Sequence, residues 1–203
     1  MKQTRDLDSA IRKFQRHGGT LRTSQARALG IHPAAIYELR DSGRLTELGR
    51  GLYRVADAKE LENPDLAVVG VRVPNAVVCL ISALSYHGIT TQIPAAIHLA
   101  VPRGTYHRIK LDPLPVQVYR YDAKTFSAGI EKHDVGGVSV RVYGVARTVA
   151  DMFKFRNKLG LDIAIEALRL ARERKHLQNR ELLHFARLLR VERPMEPYLQ
   201  AMG

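Results

Sequence analysis

Two short segments near the start of the chain, Thr23–Leu29 and Pro33–Ser42, carry apolar residues at the spacing of an amphipathic helix. In the second segment Ile36 and Leu39 are three positions apart, which places them on one face. Gly30 lies between the segments, and glycine readily adopts the left-handed backbone that ends a helix. The pattern therefore predicts two helices joined by a tight turn.

A hairpin pattern follows these two segments. Leu45–Leu48 and Leu52–Val55 read as short strands, and the Gly49–Gly51 segment between them suits a sharp turn with Arg50 at its tip. A further helix is predicted at Leu7–Arg16, before the pair. Helix, helix–turn–helix and hairpin in this order predict a winged helix-turn-helix, which is a DNA-reading module.

The second helix of the pair is the element that we expect to enter the major groove of DNA. His32 lies at its N-terminal end, and the small Ala34 permits close approach to a base edge. Arg50 at the hairpin tip suits the narrow, electronegative minor groove. The other candidates for DNA contact, chiefly to phosphates, are Arg22, Ser24, Gln25, Arg27, Tyr37, Arg40, Arg44 and Arg54.

A second interpretation of this region stays open. Small helical domains with hairpins also bind other proteins, and a basic face is usually only solvated. The outer face of the presumed reading helix carries Glu38 and Asp41, and it has none of the Asn or Gln that commonly read adenine.

Beyond this region the pattern changes to a mixture of helices and strands, which predicts an α+β second domain. The predicted domains are a winged helix-turn-helix over residues 1–58 and an α+β domain over residues 59–203. The predicted helices are Asp65–Val71, Ala76–His87, Arg147–Lys158, Leu161–Lys175 and Arg180–Val191. The predicted strands are Ile97–Val101, Val116–Tyr121 and Val138–Tyr143, the last entered from Gly129–Asp134 through a turn at Gly136–Gly137.

Composition supports a polyanionic partner. The chain has 203 residues and a formal net charge of +12, and residues 1–55 hold 11 Lys and Arg against 5 Asp and Glu. The single cysteine, Cys79, allows no intrachain disulfide and is typical of a reducing cytoplasm. Because the N-terminus is polar and no apolar run approaches ~20 residues, we expect a cytoplasmic protein without a membrane span.

Candidate chemistry is sparse. One cysteine and eight scattered histidines show no zinc-ligand spacing, and no phosphate-binding glycine loop is present, so we expect no metal, no cofactor and no enzymatic activity. Asp112, Glu131 and Lys132 leave a metal-dependent nuclease as a minor alternative. Their spacing lacks the acid-x-lysine pattern on one strand.

A second basic group follows the predicted strand Ile97–Val101. It consists of Arg103, His107, Arg108 and Lys110. This loop would suit the DNA backbone or an acidic partner, and a solvated loop is an equal alternative.

Several motifs together resemble the AbiEi-type antitoxins of bacterial abortive-infection (type IV toxin–antitoxin) systems. The motifs are Gly18–Leu21, Leu29–His32, Gly49–Arg54, Val77–Gly88, Pro94, His98–Gly104 and Arg147–Asp151. The Ser-Ala-Leu…His-Gly stretch in combination with a later Val-Pro-Arg-Gly is fairly specific to this family.

The resemblance implies a DNA-binding autorepressor that recognises operator repeats, and a second domain that counters a nucleotidyltransferase toxin. The alternative is a winged-helix regulator whose second domain binds a ligand or another protein, with no toxin. An oligomeric state does not follow from the sequence.

Overall fold

The computed structural model describes residues 6–105 and 108–202, and it divides into two compact units. The first unit comprises residues 1–74 together with 133–140, and the second comprises residues 75–132 and 141–203. Helices and strands are present in both, so the predicted α+β class is confirmed.

The first unit has the element order of a winged helix-turn-helix. Its elements are α1 (Leu7–Arg16), β1 (Thr20–Arg22), α2 (Thr23–Ala28), α3 (Pro33–Asp41), β2 (Leu45–Gly49), β3 (Leu52–Val55) and α4 (Pro64–Arg72). The strands form an antiparallel sheet in the order β1-β3-β2. The predicted helix pair and hairpin are confirmed, whereas the sequence reading missed β1, because three residues carry too little periodicity.

The turn between α2 and α3 follows the predicted local chemistry. Gly30 has a φ of +76°, and Ile31 donates its backbone N–H to the carbonyl of Ala26 at 2.9 Å, which closes the end of α2. Ile36 and Leu39 on α3 are fully buried in a small core shared with α1. The helix pair is therefore held by its own apolar face.

The first unit extends beyond the predicted boundary at residue 58. Helix α4 packs against the hairpin so closely that a Cβ on Gly49 would lie 3.3 Å from the methyl groups of Val68. Gly70 on the same helix leaves room for the backbone of Ser139, where a Cβ would lie 2.8 Å from the Ser139 carbonyl oxygen. Independent folding of residues 1–58 stays a prediction, and the compact unit contains more than those residues.

The second part of the chain builds a five-stranded sheet with helices. Its elements are β4 (Val77–Val78), α5 (Leu80–His87), β5 (Ile97–Pro102), β6 (Val116–Tyr121), α6 (Ala123–Ser127), β7 (Ile130–Val135), β8 (Val138–Tyr143), α7 (Val145–Lys154), α8 (Arg156–Leu159), α9 (Leu161–Lys175), α10 (Asn179–Leu189) and α11 (Glu192–Ala201). The strand order is β6-β5-β4-β8-β7. Strands β5 and β6 are parallel, as are β4 and β8, whereas β4 and β5 are antiparallel.

Part of the predicted helix Ala76–His87 is a strand. Val78 pairs with Leu99 on one side and with Val142 on the other, so β4 is the central strand of the sheet. A short apolar run cannot be assigned by periodicity alone, and here the β-branched Val77 and Val78 follow their strand preference. The helix begins only at Leu80.

Other differences lie at element ends. The predicted helix Arg147–Lys158 is divided into α7 and α8, and α6 and α11 were not anticipated. The main core of the second unit joins one sheet face to α5, α7, α9 and α10, with fully buried Leu84, Val149, Leu168 and Leu182 among its members. Over residues 6–105 and 108–202, none of the helices is long and apolar enough to cross a membrane.

Candidate nucleic-acid interface

The hairpin between β2 and β3, which we call the wing, is fastened to the start of α2. Thr23 donates its backbone N–H to the carbonyl of Gly51 at 2.9 Å, and its hydroxyl donates to the same oxygen at 3.3 Å. The N–H of Gly51 in turn donates to Glu47 Oε1 at 3.1 Å. The turn is therefore fixed at both ends, and the exposed Arg50 is presented from a defined position.

Helix α2 carries three further candidates on its exposed side. Gln25 accepts the backbone N–H of Arg22 through Oε1 at 2.9 Å, so its side chain caps the helix start. Ser24 and Arg27 are exposed. Within the described part of the chain neither Arg27 nor Arg50 has an acidic partner, which leaves both guanidinium groups available to phosphate oxygens.

Helix α3 presents the predicted reading surface. His32 is its N-cap residue and accepts the backbone N–H of Ala34 through Nδ1 at 3.2 Å. Tyr37, one turn further along, is 46% exposed although it is a large aromatic residue. The N-terminal half of α3 thus offers a small side chain and a flat ring, with no charge between them to repel a base edge.

At the C-terminal end of α3, nearby carboxylates balance the charge of Arg40. Arg40 donates to Asp41 Oδ1 from Nε at 2.9 Å and from Nη2 at 2.8 Å, and its guanidinium lies 5.2 Å from the ring centre of Tyr37. Glu47 of the wing is 3.9 Å away. The hydrogen bond to Asp41 raises the pKa of Arg40.

Arg44 has a comparable partner. Its Nη2 donates to Asp8 Oδ1 on α1 at 2.7 Å, and both side chains are exposed. Exposed ion pairs of this kind contribute little to stability and exchange partners readily. Arg40 and Arg44 therefore remain candidate phosphate contacts that must first leave a carboxylate.

Arg54 does not belong to this interface. It is only 9% exposed, and it donates to the carbonyls of Gly18 and Lys59 and to Thr20 Oγ1. Burial lowers the pKa of this guanidinium. The prediction of a phosphate contact at Arg54 is incorrect because the side chain points into the protein, where it holds loop carbonyls.

Arg22 is also used internally. Its Nη2 donates to the carbonyl of Gly70 at 3.0 Å, and the residue is partly buried. A phosphate contact from Arg22 would require the loss of that hydrogen bond. Arg22 is the weakest of the remaining arginine candidates.

Three of the four residues of the second basic group lie within the described part of the chain. Arg103 pairs with Asp122 through a 3.2 Å Nε–Oδ1 contact, and Arg108 and Lys110 are exposed. His107 lies outside the described residues. The structure therefore leaves an exposed basic loop after β5, in which the best-placed arginine already has an acidic neighbour.

Net charge does not single out the first unit. Residues 1–74 and 133–140 hold 13 Lys and Arg against 10 Asp and Glu, whereas the rest of the chain holds 19 against 10. The excess within residues 1–55 is offset by acids at 56–74 and at Asp134. The case for DNA therefore depends on local placement of Arg27 and Arg50 rather than on total charge. Over the described ranges there is no group of His, Cys, Asp and Glu suited to a metal ion.

Comparisons with known proteins agree with the fold of the first unit. Residues 9–56 match the model of a family described as transcriptional regulator, AbiEi antitoxin. No curated protein gives a significant match to the chain. The crystal structure of the RV2827C protein from Mycobacterium tuberculosis aligns with a TM-score of 0.55 at 17% identity, covering 90% of this chain and 70% of that one. At this identity the likeness concerns the fold alone.

Proposed function

We propose that the chain is a DNA-binding transcriptional repressor of the antitoxin type. The observation that carries the proposal is the wing: Arg50 is exposed, has no acidic partner in the described structure, and projects from a turn that Thr23 fixes to the start of α2. The match of residues 9–56 to a regulator family supports the same function.

In the proposed complex, α3 enters the major groove and the wing contacts the adjacent minor groove. His32, Ala34 and Tyr37 approach base edges, with Ala34 and Tyr37 suited to a thymine methyl group. Phosphate contacts position the protein without reading sequence, and they come from Ser24, Gln25, Arg27, Arg40 and Arg44. Arg50 fits a narrow minor groove, where the negative potential is enhanced.

The biological setting that we propose follows the family resemblance. The protein would act in the cytoplasm, repress its own operon at operator repeats and counter a nucleotidyltransferase toxin encoded beside it. It would need neither a cofactor nor catalysis. The family match ends at residue 56, so the role of the second unit rests on the resemblance of its motifs.

DNA binding is tested by titrating the full chain against a labelled duplex taken from upstream of its own gene, with a scrambled duplex of equal length beside it. We expect tighter binding to the upstream duplex. Arg50→Ala should weaken it about tenfold or more, as expected for loss of one groove contact. Arg193→Ala, an exposed arginine on α11, is the matched control and should change affinity little. Equal affinity for both duplexes would exclude an operator-reading function.

The alternative is a regulator whose second unit binds something other than a toxin. Co-expression of the full chain with an adjacent nucleotidyltransferase gene, scored by growth, separates the two. If the Arg50→Ala variant still restores growth, the antitoxin role belongs to residues outside the wing. Failure of rescue by a chain that still binds its operator favours the alternative.

A further inference from the structure

A hairpin from the middle of the chain contributes its tip to the DNA-reading unit. Strands β7 and β8 are joined at Gly136–Gly137, and residues 133–140 belong to the first unit. The turn is closed by the N–H of Gly137, which donates to Asp134 Oδ1 at 3.0 Å. These residues lie some eighty positions beyond the wing in sequence.

Gly137 packs backbone against backbone on the turn that joins α1 to β1. A Cβ on Gly137 would lie 2.5 Å from the His17 carbonyl oxygen and 3.4 Å from that of Thr20. From the other side, a Cβ on Gly18 would lie 3.0 Å from Gly137 Cα and N. Real Cβ atoms do not approach other atoms as closely as 2.5 Å, so Gly137 requires glycine, and the 3.0 Å contacts leave little room for a Cβ at Gly18. The φ of Gly137, +88°, adds a second reason.

The buried side chain of Arg54 binds the same α1–β1 turn from the interior of the first unit. Its Nη1 donates to Thr20 Oγ1 at 2.7 Å and to the Gly18 carbonyl at 3.3 Å. A Cβ on Gly136 would lie 2.9 Å from this nitrogen and would also collide with Leu61. The α1–β1 turn is therefore fixed between the buried guanidinium and the glycine tip.

Strand β1 connects the α1–β1 turn to the wing. Thr20 pairs with Arg54 and Arg22 pairs with Leu52, so β1 sets the position of β3 directly after the wing turn. The next residue, Thr23, donates to Gly51 beside Arg50. The segment from His17 to Thr23 is thus a short, hydrogen-bonded connection between the glycine tip and the arginine at the wing.

A second contact braces the other end of β1. Arg22 donates to the carbonyl of Gly70 on α4, and Gly70 itself lies against the backbone of Ser139 on β8. Both ends of β1 therefore depend on residues of the 133–140 segment.

We propose that the tip at Gly136–Gly137 is a positioning element for the wing, and that DNA binding by Arg50 requires it. The proposal rests on the DNA-binding function above and assigns a role in it to residues outside the predicted DNA-binding domain. Gly137 touches no DNA in this scheme; it acts through the α1–β1 turn.

The test is Gly137→Ala in the full chain, with Gly43→Ala as matched control. Gly43 lies in the same unit and has a φ of +73°, but nothing lies within 4 Å of the position of a Cβ there. Both variants bear the strain of a positive φ, and only Gly137→Ala meets the turn. Binding is measured at a temperature below the thermal unfolding midpoints of the two variants. Under these conditions Gly137→Ala should weaken operator binding about tenfold or more, and Gly43→Ala about threefold or less.

A double-mutant cycle distinguishes positioning from general destabilisation. If the tip positions the wing, Arg50→Ala should cost about tenfold in the natural background and about threefold or less in Gly137→Ala. Additive losses, or natural affinity in Gly137→Ala, would overturn the proposal.

A DNA-free measurement keeps this inference separate from the proposed function. Hydrogen exchange of the Thr23 amide, which donates to Gly51, should be faster in Gly137→Ala than in Gly43→Ala. Faster exchange in a chain that does not bind DNA would sustain the mechanical connection and refute the DNA-binding function. Equal exchange in the two variants would refute the connection itself.

Discussion

Arg147 and Asp151 on α7 form an ion pair whose side chains are both fully buried. Nε of Arg147 lies 3.0 Å from Oδ2 of Asp151. The guanidinium also donates to the carbonyls of Thr125 and Ala128, and it lies 4.4 Å from the ring centre of Tyr143. The pair therefore joins the end of α6 to α7 within the core of the second unit.

Removing one partner of the Arg147–Asp151 pair should lower the free energy of unfolding far more than replacing both partners. Arg147→Met leaves a buried carboxylate without a counter-ion, so we expect a loss of about 3–5 kcal/mol in the free energy of unfolding. Arg147→Met combined with Asp151→Leu should recover a large part of that loss. Guanidinium unfolding of the two single variants and of the double variant measures these losses of unfolding free energy. A double variant whose loss equals the sum of the two single losses would contradict this account.

His98 should make the second unit less stable in mild acid. It is buried on β5, its ring centre lies 5.3 Å from that of Tyr119, and no hydrogen-bond partner for Nδ1 occurs among the described residues. Burial, and next the charge of Lys158, lowers the pKa of His98 below 6.5. The folded protein thus binds the proton more weakly than the unfolded chain, and its stability falls as the pH drops through and below 6.5.

The measurement is the free energy of unfolding at pH 7.5 and 5.5. His98→Gln should remove a part of the loss, up to about 1.4 kcal/mol per unit of pKa shift. Lys158→Gln should reduce the same loss because the neighbouring positive charge is gone. An identical pH dependence in the natural chain and in His98→Gln would exclude this histidine as a cause.

The parts of the fold that could be predicted from sequence are those with local causes. Gly30 and Pro33 mark the ends of α2 and α3, and the apolar spacing of Ile36 and Leu39 gives the buried face. The Gly49–Gly51 turn and the Gly136–Gly137 turn are likewise encoded within a few residues. These features need no knowledge of distant partners.

The features that sequence reasoning missed depend on distant partners. Arg54 looks like any arginine of a basic strand, and only the fold brings Gly18 and Lys59 to its guanidinium. The Asp8–Arg44 pair joins residues 36 positions apart, and no spacing rule indicates it. Glu47, which accepts the N–H of Gly51, could have been suspected from its place just before a tight turn.

Arg54 and Arg50 should respond to substitution in opposite ways. Arg54→Met removes hydrogen bonds to two carbonyls and to Thr20 Oγ1, so we expect a loss of about 1–3 kcal/mol in stability. Arg50→Met should leave the unfolding midpoint almost unchanged and weaken DNA binding. Thermal unfolding together with anisotropy titration of both variants checks this, and a destabilised Arg50→Met would mean that the wing tip is not free.

Loss of the acid beside Arg40 should strengthen DNA binding. Asp41 holds two donors of Arg40, and its charge would face the phosphates. Asp41→Asn releases the guanidinium and removes that repulsion, so we expect affinity to rise about two- to fivefold. Asp162→Asn, an exposed acid at the start of α9, is the control. Unchanged or weaker binding by Asp41→Asn would place Arg40 outside the footprint.

The salt dependence of binding should report how many arginines meet phosphates. Arg27, Arg40 and Arg44 are the exposed or partly exposed arginines that we assign to phosphates, whereas Arg54 is enclosed. Three phosphate contacts predict a slope of roughly −2.7 in a plot of log affinity against log salt, at about −0.9 for each contact released with its counterion. Arg27→Ala should reduce the slope by about one, because Arg27 has no acidic partner to leave in the described structure. Arg54→Met should leave the slope unchanged even where it lowers stability. Titrations at four salt concentrations between 50 and 200 mM decide the matter, and a slope altered by Arg54→Met but not by Arg27→Ala would reverse the assignment of these two arginines.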